Sequence, residues 1–99
     1  MTMKRADFVF AIGFQGNAAI VDRRSRAKYG KLSSAELARE GLFKPAFCSA
    51  LYSGDEEEMT EFLGIYGQAH GTEPPTVDQL KRVYGVYSDP ESITRVETI

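Results

Sequence analysis

A chain of 99 residues accommodates one domain, and its composition, 42% hydrophobic and 26% charged, argues against disorder over most of its length. The formal net charge of −2 conceals a split: residues 1–50 hold nine bases and four acids, whereas residues 51–99 hold three bases and ten acids. Cys48 is the only cysteine, so an intrachain disulfide is excluded and a reducing, cytoplasmic setting is expected. Asp7 lies where the apolar run of a signal peptide should begin, the run over residues 8–14 barely reaches the minimum length, and no stretch is long enough to cross a membrane. We expect one soluble domain over residues 1–99.

Residues 7–12 alternate in a way that is typical of a β-strand, with Phe8, Phe10 and Ile12 on one parity. The segment AAIVD, which contains β-branched residues, predicts a second strand. The sequence GFQGN between the two segments supplies glycine and asparagine, which are suited to positive φ. The pattern therefore predicts an N-terminal antiparallel β-hairpin.

The same glycines allow a second interpretation, in which residues 13–17 form a phosphate loop that opens a helix at Asn17. The spacing Gly13-x-x-Gly16 matches neither the dinucleotide-binding pattern G-x-G-x-x-G nor the P-loop pattern, and a helix after it has a poor apolar stripe. The hairpin is favoured and no cofactor is predicted. A small-molecule sensor or enzyme that uses the 13–17 loop remains the second alternative function.

Start and stop signals then delimit a series of short helices. The most strongly marked helix follows Asp55, because glutamates 56–58 fill its first turn, where the helix macrodipole favours negative charge. Residues 69–75 after it are predicted to be a loop. Four further helices are each predicted from a residue near the start and a glycine after the end. These pairs are Asp22 and Gly30, Ser33 and Gly41, Pro45 and Gly54, and Thr76 and Gly85; Ser33 is expected to form a capping box with Glu36, and Gly30 to be left-handed.

Apolar spacing indicates which sides of these helices are buried. The helix that contains Pro45 has few polar positions, so we expect it at the centre of the core. The residues expected to face inward on the last two helices are Met59, Phe62, Leu63 and Tyr66, and Val77, Leu80, Val83 and Tyr84.

The C-terminal residues 88–99 are predicted either as a loose tail or as a third strand, which would stabilise a sheet that is marginal with two strands. The predicted fold class is α+β. It consists of an N-terminal antiparallel β-hairpin, with or without a C-terminal third strand, packed against three to four short α-helices.

Three groups of side chains that could carry chemistry are better explained without it. His70 is the only histidine, so a zinc site lacks ligands and an exposed loop position is predicted. Glu57 and Glu61 share a helix face, but compensation of the helix dipole accounts for them and no Glu-x-x-His motif accompanies them. Cys48 has apolar neighbours, so we expect a buried, unreactive thiol. No metal ligand or catalytic residue is predicted, and the chain is expected not to be an enzyme.

Residues 33–53 resemble a helix-turn-helix, with Gly41 at the turn. The resemblance fails in the second helix, which presents Phe47, Cys48 and Ala50 where base-reading polar side chains should project. These apolar residues predict a core helix instead of a recognition helix.

The main candidate interaction site is the basic segment, defined as the five bases Arg23, Arg24, Arg26, Lys28 and Lys31. Such a cluster can contact phosphates, with Tyr29 or Phe14 stacking on a base. The pI near 5.4 instead favours contact with acidic groups, either at residues 55–58 and Glu61 of the same chain or on a partner protein.

We therefore expect a small non-catalytic cytoplasmic module that binds a protein partner or associates with itself, with the basic segment as the partner-binding candidate. The first alternative is a nucleic-acid-binding domain that uses the basic segment. The identity of the partner is not encoded in any motif of the sequence.

Overall fold

The computed structural model describes residues 4–15, 17–86 and 93–99. These residues form α1 (Arg5–Val9), β1 (Ala11–Gln15), β2 (Ala18–Val21), α2 (Arg23–Tyr29), α3 (Ser34–Arg39), α4 (Phe43–Ser53), α5 (Glu56–His70), α6 (Val77–Tyr84) and β3 (Arg95–Thr98). The predicted α+β class is confirmed, with six helices in the described part of the chain where three or four were expected. Among the same residues, no helix is long and apolar enough to cross a membrane.

The strands form one sheet in the order β1-β2-β3. β1 and β2 pair antiparallel as the predicted hairpin, and Phe14 lies opposite Ala19. β3 is the predicted third strand and pairs parallel to β2, with Val96 opposite Ala19. A parallel neighbour needs a long crossover, which the helices between β2 and β3 provide. Residues 88–92 of the predicted tail and Gly16 of the predicted turn lie outside the described residues.

The N-terminal segment differs from its prediction. α1 occupies residues 5–9, so the strand predicted over residues 7–12 begins only at Ala11. The alternation in the sequence does not mark one face, because residues 8–11 are all buried whereas Ile12 is 52% exposed. Consecutive buried residues suit a short helix that is enclosed on several sides, and tertiary packing here overrides strand propensity.

The helix starts predicted at Asp22, Ser33, Asp55 and Thr76 are confirmed. α4 begins at Phe43, so Pro45 lies in its first turn but two residues after its start. Ser33 forms the capping box with Glu36, and hydrogen bonds from Ser33 lower the pKa of the Glu36 carboxyl. The side chain of Asp55 accepts hydrogen bonds from the backbone N–H groups of Glu57 and Glu58. Left-handed glycines follow four of the helices, at Gly41, Gly54, Gly71 and Gly85.

Gly30 is the exception among the helix ends. It follows α2 with a φ of −62°, which lies in the right-handed helical region, so the predicted left-handed conformation is wrong. A Cβ at this position would lie 2.4 Å from the carbonyl oxygen of Arg26. Glycine is therefore needed here for a close approach of the backbone and not for a positive φ.

α4 lies at the centre of the core, as predicted, because residues 46–50 are all buried. It packs against α1, α3 and α5. The ring centroid of Phe47 lies 5.9 Å from that of Phe62 on α5 and 5.9 Å from that of Tyr84 on α6. One apolar cluster thus joins α4 to both of the helices that follow it.

The inward sides predicted for α5 and α6 are confirmed except at one position. Phe62 and Leu80 are buried. Val83 is 66% exposed, so its predicted inward position is wrong. Tyr84, which was also predicted to face inward, lies four residues after Leu80 on the same side of the helix and contacts Phe47. The residues that pack partly buried against the core are Met59, Leu63, Tyr66, Val77 and Tyr84.

Candidate functional site

The basic segment lies on α2 and the turn that follows it. Four of its bases are exposed and are called the basic face below: Arg23, Arg24, Lys28 and Lys31. Arg24 and Lys28 are spaced i and i+4, so they lie on one side of α2, and Lys31 follows in the turn after the helix. None of the four forms an ion pair with another described residue. The basic face is therefore a group of exposed bases with no ion pair to a described residue.

Asp22 fixes the beginning of α2. Its carboxylate accepts hydrogen bonds from the backbone N–H groups of Arg24 (3.1 Å) and Ser25 (3.3 Å) and from the Ser25 hydroxyl (2.9 Å). These hydrogen bonds, chiefly those from Ser25, lower the pKa of Asp22. The backbone N–H of Arg23 donates to the carbonyl oxygen of Ile99 at 3.3 Å, so the basic face begins beside the end of β3.

Arg26 is the one base of the segment that turns toward the protein. Its guanidinium forms an ion pair with Asp7 of α1, and the two side chains are 32% and 14% exposed. The pair connects α2 to α1 across 19 positions of the sequence. Arg26 therefore holds the helix in place and does not belong to the basic face.

The acids that were expected to face the basic segment lie elsewhere. Glu61 approaches Arg39 of α3 at 3.6 Å, with both side chains largely in solvent. Glu58 accepts a hydrogen bond from the Ser34 hydroxyl at 2.8 Å. Among the described residues, no acid at positions 55–58 or 61 forms an ion pair with the basic segment, and the acid of the same chain that it does pair with is Asp7, through Arg26.

Arg5, which sequence reasoning missed, holds the other end of α2. Its guanidinium donates to the carbonyl oxygens of Gly30 (3.1 Å) and Leu32 (2.7 Å) and to the hydroxyl of Ser49 (2.7 Å). These partners lie 25 to 44 positions away in the sequence, so no local pattern marks Arg5. The backbone on either side of the basic face is thereby fixed.

The two aromatic residues that a base-stacking site would use are packed against the core. The ring centroid of Phe14 lies 6.3 Å from that of Phe8. Tyr29 is partly buried against the core, and the Nζ atom of Lys28 lies 5.1 Å from the centroid of its ring. The Lys28 ammonium thus lies over one face of the Tyr29 ring. The surface of α2 thus offers cations without an open aromatic platform.

The glycine-containing segment turns the chain from one strand to the next. Gly13 lies within β1, opposite Ile20 of β2. Asn17 follows at the turn, where its side-chain amide donates to the Thr94 hydroxyl and its carbonyl oxygen accepts from the Thr94 N–H at 2.8 Å. A phosphate loop would open a helix at this point, whereas the chain here enters a strand. The hairpin interpretation of residues 13–17 is confirmed.

α3 and α4 follow one another as in a helix-turn-helix, but α4 is not placed to contact bases. Phe47, Cys48 and Ala50 are each no more than 1% exposed. A recognition helix must present its side chains to a groove of the duplex. The second helix of this pair presents them to the protein core, so the resemblance ends with the order of the helices.

The remaining polar candidates occupy structural positions. His70 is exposed as predicted, but it belongs to the last turn of α5 and its ring stacks on Tyr66 with the centroids 4.0 Å apart. Cys48 is buried, and burial raises the pKa of its thiol to about 12. Glu57 and Glu61 are exposed along α5. Across the described residues, no three His, Cys, Asp or Glu side chains are grouped as metal ligands would be.

Comparison with protein-family models, with curated proteins and with solved structures finds no match to this chain. The basic face is one part of the protein surface where charges of one sign are grouped without an ion pair to a described residue.

Proposed function

We propose that the protein is a small non-catalytic cytoplasmic module that binds an acidic segment of a partner protein through the basic face. The observation that carries this proposal is the grouping of four exposed cations on α2 and the turn that follows it, with no ion pair to a described residue. Like charges held at adjacent helical positions repel one another, and an acidic ligand relieves that repulsion. Arg26 contributes indirectly, because its pairing with Asp7 fixes the helix that carries the basic face.

The helix macrodipole accounts for Lys28, which lies in the last turn of α2, but not for Arg23 and Arg24. Arg23 and Arg24 occupy the first two positions of the helix, where the macrodipole disfavours positive charge. α2 also has no fully buried residue, so it contributes little to the core. Asp22 and the pair of Arg26 with Asp7 nevertheless hold it against the domain. A helix that is firmly held and displays unneutralised bases is suited to presenting charge to a partner.

An acidic protein segment is favoured over nucleic acid, the alternative ligand for the same surface. Single-stranded nucleic acid is bound largely by stacking, and Tyr29 and Phe14 are already packed against the core. Contact with a few carboxylates needs no stacking surface.

The test measures binding of a labelled Glu/Asp-rich peptide of about 20 residues and of single- and double-stranded oligonucleotides, by fluorescence anisotropy at low salt and at about 0.15 M salt. The triple variant Arg24→Ala/Lys28→Ala/Lys31→Ala removes three charges from the basic face. The matched control Arg39→Ala/Lys81→Ala/Arg82→Ala removes three charges from α3 and α6.

We expect the peptide to bind the wild type and the matched control alike, and the affinity of the basic-face variant to fall about tenfold or more at low salt. Circular dichroism should show all three proteins folded. Equal peptide affinities of the two variants would refute the basic face as the binding site. Oligonucleotide binding that exceeds peptide binding at about 0.15 M salt, and that is lost in the basic-face variant, would establish the nucleic-acid alternative.

A further inference from the structure

β3 forms an edge of the sheet and is open to solvent. It pairs with β2 on one side, and no described strand lies on its other side. All four of its residues are exposed, including Val96 at 36%. An edge strand of this kind presents unpaired backbone groups to which another strand can add.

The hydrogen bonds to β2 show which backbone groups of β3 point outward. The N–H of Arg95 donates to Asn17 at 3.2 Å, and the N–H of Ile99 donates to Val21 at 3.0 Å. The N–H of Thr94, which precedes β3, also donates to Asn17, at 2.8 Å, so the alternation of backbone directions begins at Arg95. Backbone groups alternate in direction along a strand, so the N–H and C=O groups of the even-numbered residues, Val96 and Thr98, face the open edge.

We propose that this edge pairs with β3 of a second copy of the chain, antiparallel and about a two-fold axis at Val96. In that register, Arg95 of each copy lies opposite Glu97 of the other, and Thr94 lies opposite Thr98. Val96 meets its own counterpart and exchanges the outward N–H···O=C bonds of both copies. Arg95 and Glu97 then form non-hydrogen-bonded pairs, in which opposed side chains are closest.

Charge and backbone direction together select this register. A shift of two residues places Arg95 opposite Arg95 or Glu97 opposite Glu97, which is repulsive. A shift of one residue places outward backbone groups opposite inward ones, so the ladder cannot form. A parallel arrangement in register also brings like charges together. Within each copy, Arg95 and Glu97 already lie 3.5 Å apart, so the dimer carries four alternating charges on one face of the sheet.

The other surfaces of the molecule are compatible with this pairing. β1, the opposite edge, has an irregular register between Ala11 and Gly13, which disfavours strand addition there. The basic face begins beside Ile99, and antiparallel pairing sets the two copies of Ile99 about 20 Å apart along the strands. This separation exceeds the Debye length at physiological salt, so the two basic faces do not oppose the dimer. The proposal uses a surface distinct from the basic face and does not depend on it.

The contact is small, so the dimer is weak. Pairing along five residues buries less than the roughly 1,200 Å² at which stable interfaces begin. We expect dissociation constants of about 10 μM to 1 mM, measured by sedimentation velocity and by light scattering over a range of concentrations.

The test uses charge reversal. Arg95→Glu places two acids on β3 and Glu97→Arg places two bases there, so each variant alone should be monomeric at concentrations where the wild type dimerises. A mixture of the two restores every opposite-charge pair, as does the double variant Arg95→Glu/Glu97→Arg. Both should dimerise about as strongly as the wild type. Val96→Pro removes an outward N–H while leaving the bonds to β2, so it should be monomeric and folded by circular dichroism.

A wild type that remains monomeric at 1 mM, a concentration at which a dimer with the expected affinity would be well populated, would overturn the proposal. So would a dimer that both single charge reversals leave intact, or a mixture of the two variants that stays monomeric. None of these results bears on peptide binding by the basic face, which is measured separately.

Discussion

The guanidinium of Arg5 lies 2.7 Å from the hydroxyl of Ser49, which is 44 positions later in the sequence and 2% exposed. Ser49 also belongs to a longer series of hydrogen bonds. The hydroxyl oxygens of Ser49 and Ser34 lie 2.8 Å apart, and Ser34 lies 2.8 Å from a carboxylate oxygen of Glu58. A hydroxyl has one hydrogen to donate, so Ser34 donates to Glu58 and Ser49 donates to Ser34. One chain of hydrogen bonds thus runs from a cation on α1 to an anion on α5.

Replacement of Arg5 by Met should destabilise the protein by about 2–4 kcal/mol, because two carbonyl oxygens and a buried hydroxyl lose a charged donor. Urea denaturation measures this free energy of unfolding. The control is Arg39→Ala, which removes only an exposed pair at 3.6 Å with Glu61 and should cost less than about 1 kcal/mol. Equal losses in the two variants would show that Arg5 does not hold α1 to α4.

The two ends of the hydrogen-bonded chain should be energetically coupled. In a double-mutant cycle, Arg5→Met and Glu58→Gln should be non-additive by about 0.5–2 kcal/mol, since either change disturbs the order of donors at Ser34 and Ser49. Glu61→Gln, one turn further along α5, should be additive with Arg5→Met within about 0.5 kcal/mol. Additivity in both cycles would mean that the two serines do not transmit the interaction.

Local signals account for the parts of the fold that the sequence predicted well. The capping box at Ser33 and the cap at Asp55 involve hydrogen bonds over two or three residues, so the local sequence suffices to predict them. The hairpin was predicted for the same reason, because the chain must turn between β1 and β2 within a few residues.

Contacts between distant segments account for what was missed. α1 was predicted as strand because Phe8, Phe10 and Ile12 alternate, yet its conformation depends on Arg5 and Asp7 reaching α4 and α2. Likewise, the acid that pairs with Arg26 is Asp7 in the N-terminal half and not an acid of α5. Composition alone does not identify the acidic residue with which a given base forms an ion pair.

Alkaline pH should destabilise the fold through Cys48 and Tyr84. Burial raises the pKa of the Cys48 thiol from 9.0 to about 12, and burial together with the proximity of Tyr66 raises the pKa of Tyr84 from 10.0 to about 12. Between pH 9 and 12 the folded state therefore holds more protons than the unfolded state, and stability falls as pH rises. Below pH 9 this contribution is fully present.

The measurement is urea denaturation at intervals across that range. The double variant Cys48→Ala/Tyr84→Phe should lose stability less steeply with pH than the wild type, although it is less stable at neutral pH. Native Cys48 should also react slowly with a thiol reagent at neutral pH and rapidly in urea. Fast labelling of the folded protein, or parallel pH profiles, would contradict this account.

The core position of Phe62 should dominate the energetics of α5. Phe62→Ala should cost about 3–5 kcal/mol, because the ring is 0% exposed and contacts Phe47. Leu63→Ala should cost less, since Leu63 is only partly buried. Val83→Ala on α6 is the control and should change stability by no more than about 0.5 kcal/mol, because its side chain is 66% exposed. A larger loss at Leu63 than at Phe62 would place the centre of the core elsewhere.

Two glycines one turn apart on α5 should respond to alanine in opposite directions. A Cβ at Gly67 would lie 2.9 Å from the carbonyl oxygen of Thr72 and 3.1 Å from the nitrogen of Pro74, both backbone atoms. The segment after the helix folds back onto Gly67, whose carbonyl oxygen accepts from the Thr72 N–H at 2.9 Å. At Gly64, a Cβ meets no atom within 4 Å.

Gly64→Ala should therefore stabilise the protein by about 0.5–1 kcal/mol, because alanine restricts the unfolded chain and favours the helix. Gly67→Ala gains the same intrinsic preference but must displace backbone at Thr72 and Pro74, so we expect a net loss of about 1–3 kcal/mol. Thermal denaturation should give melting temperatures above and below the wild type, respectively. If both changes stabilised the protein, residues 72–74 would not pack against α5 in solution, because a Cβ at position 67 would then clash with no backbone atom.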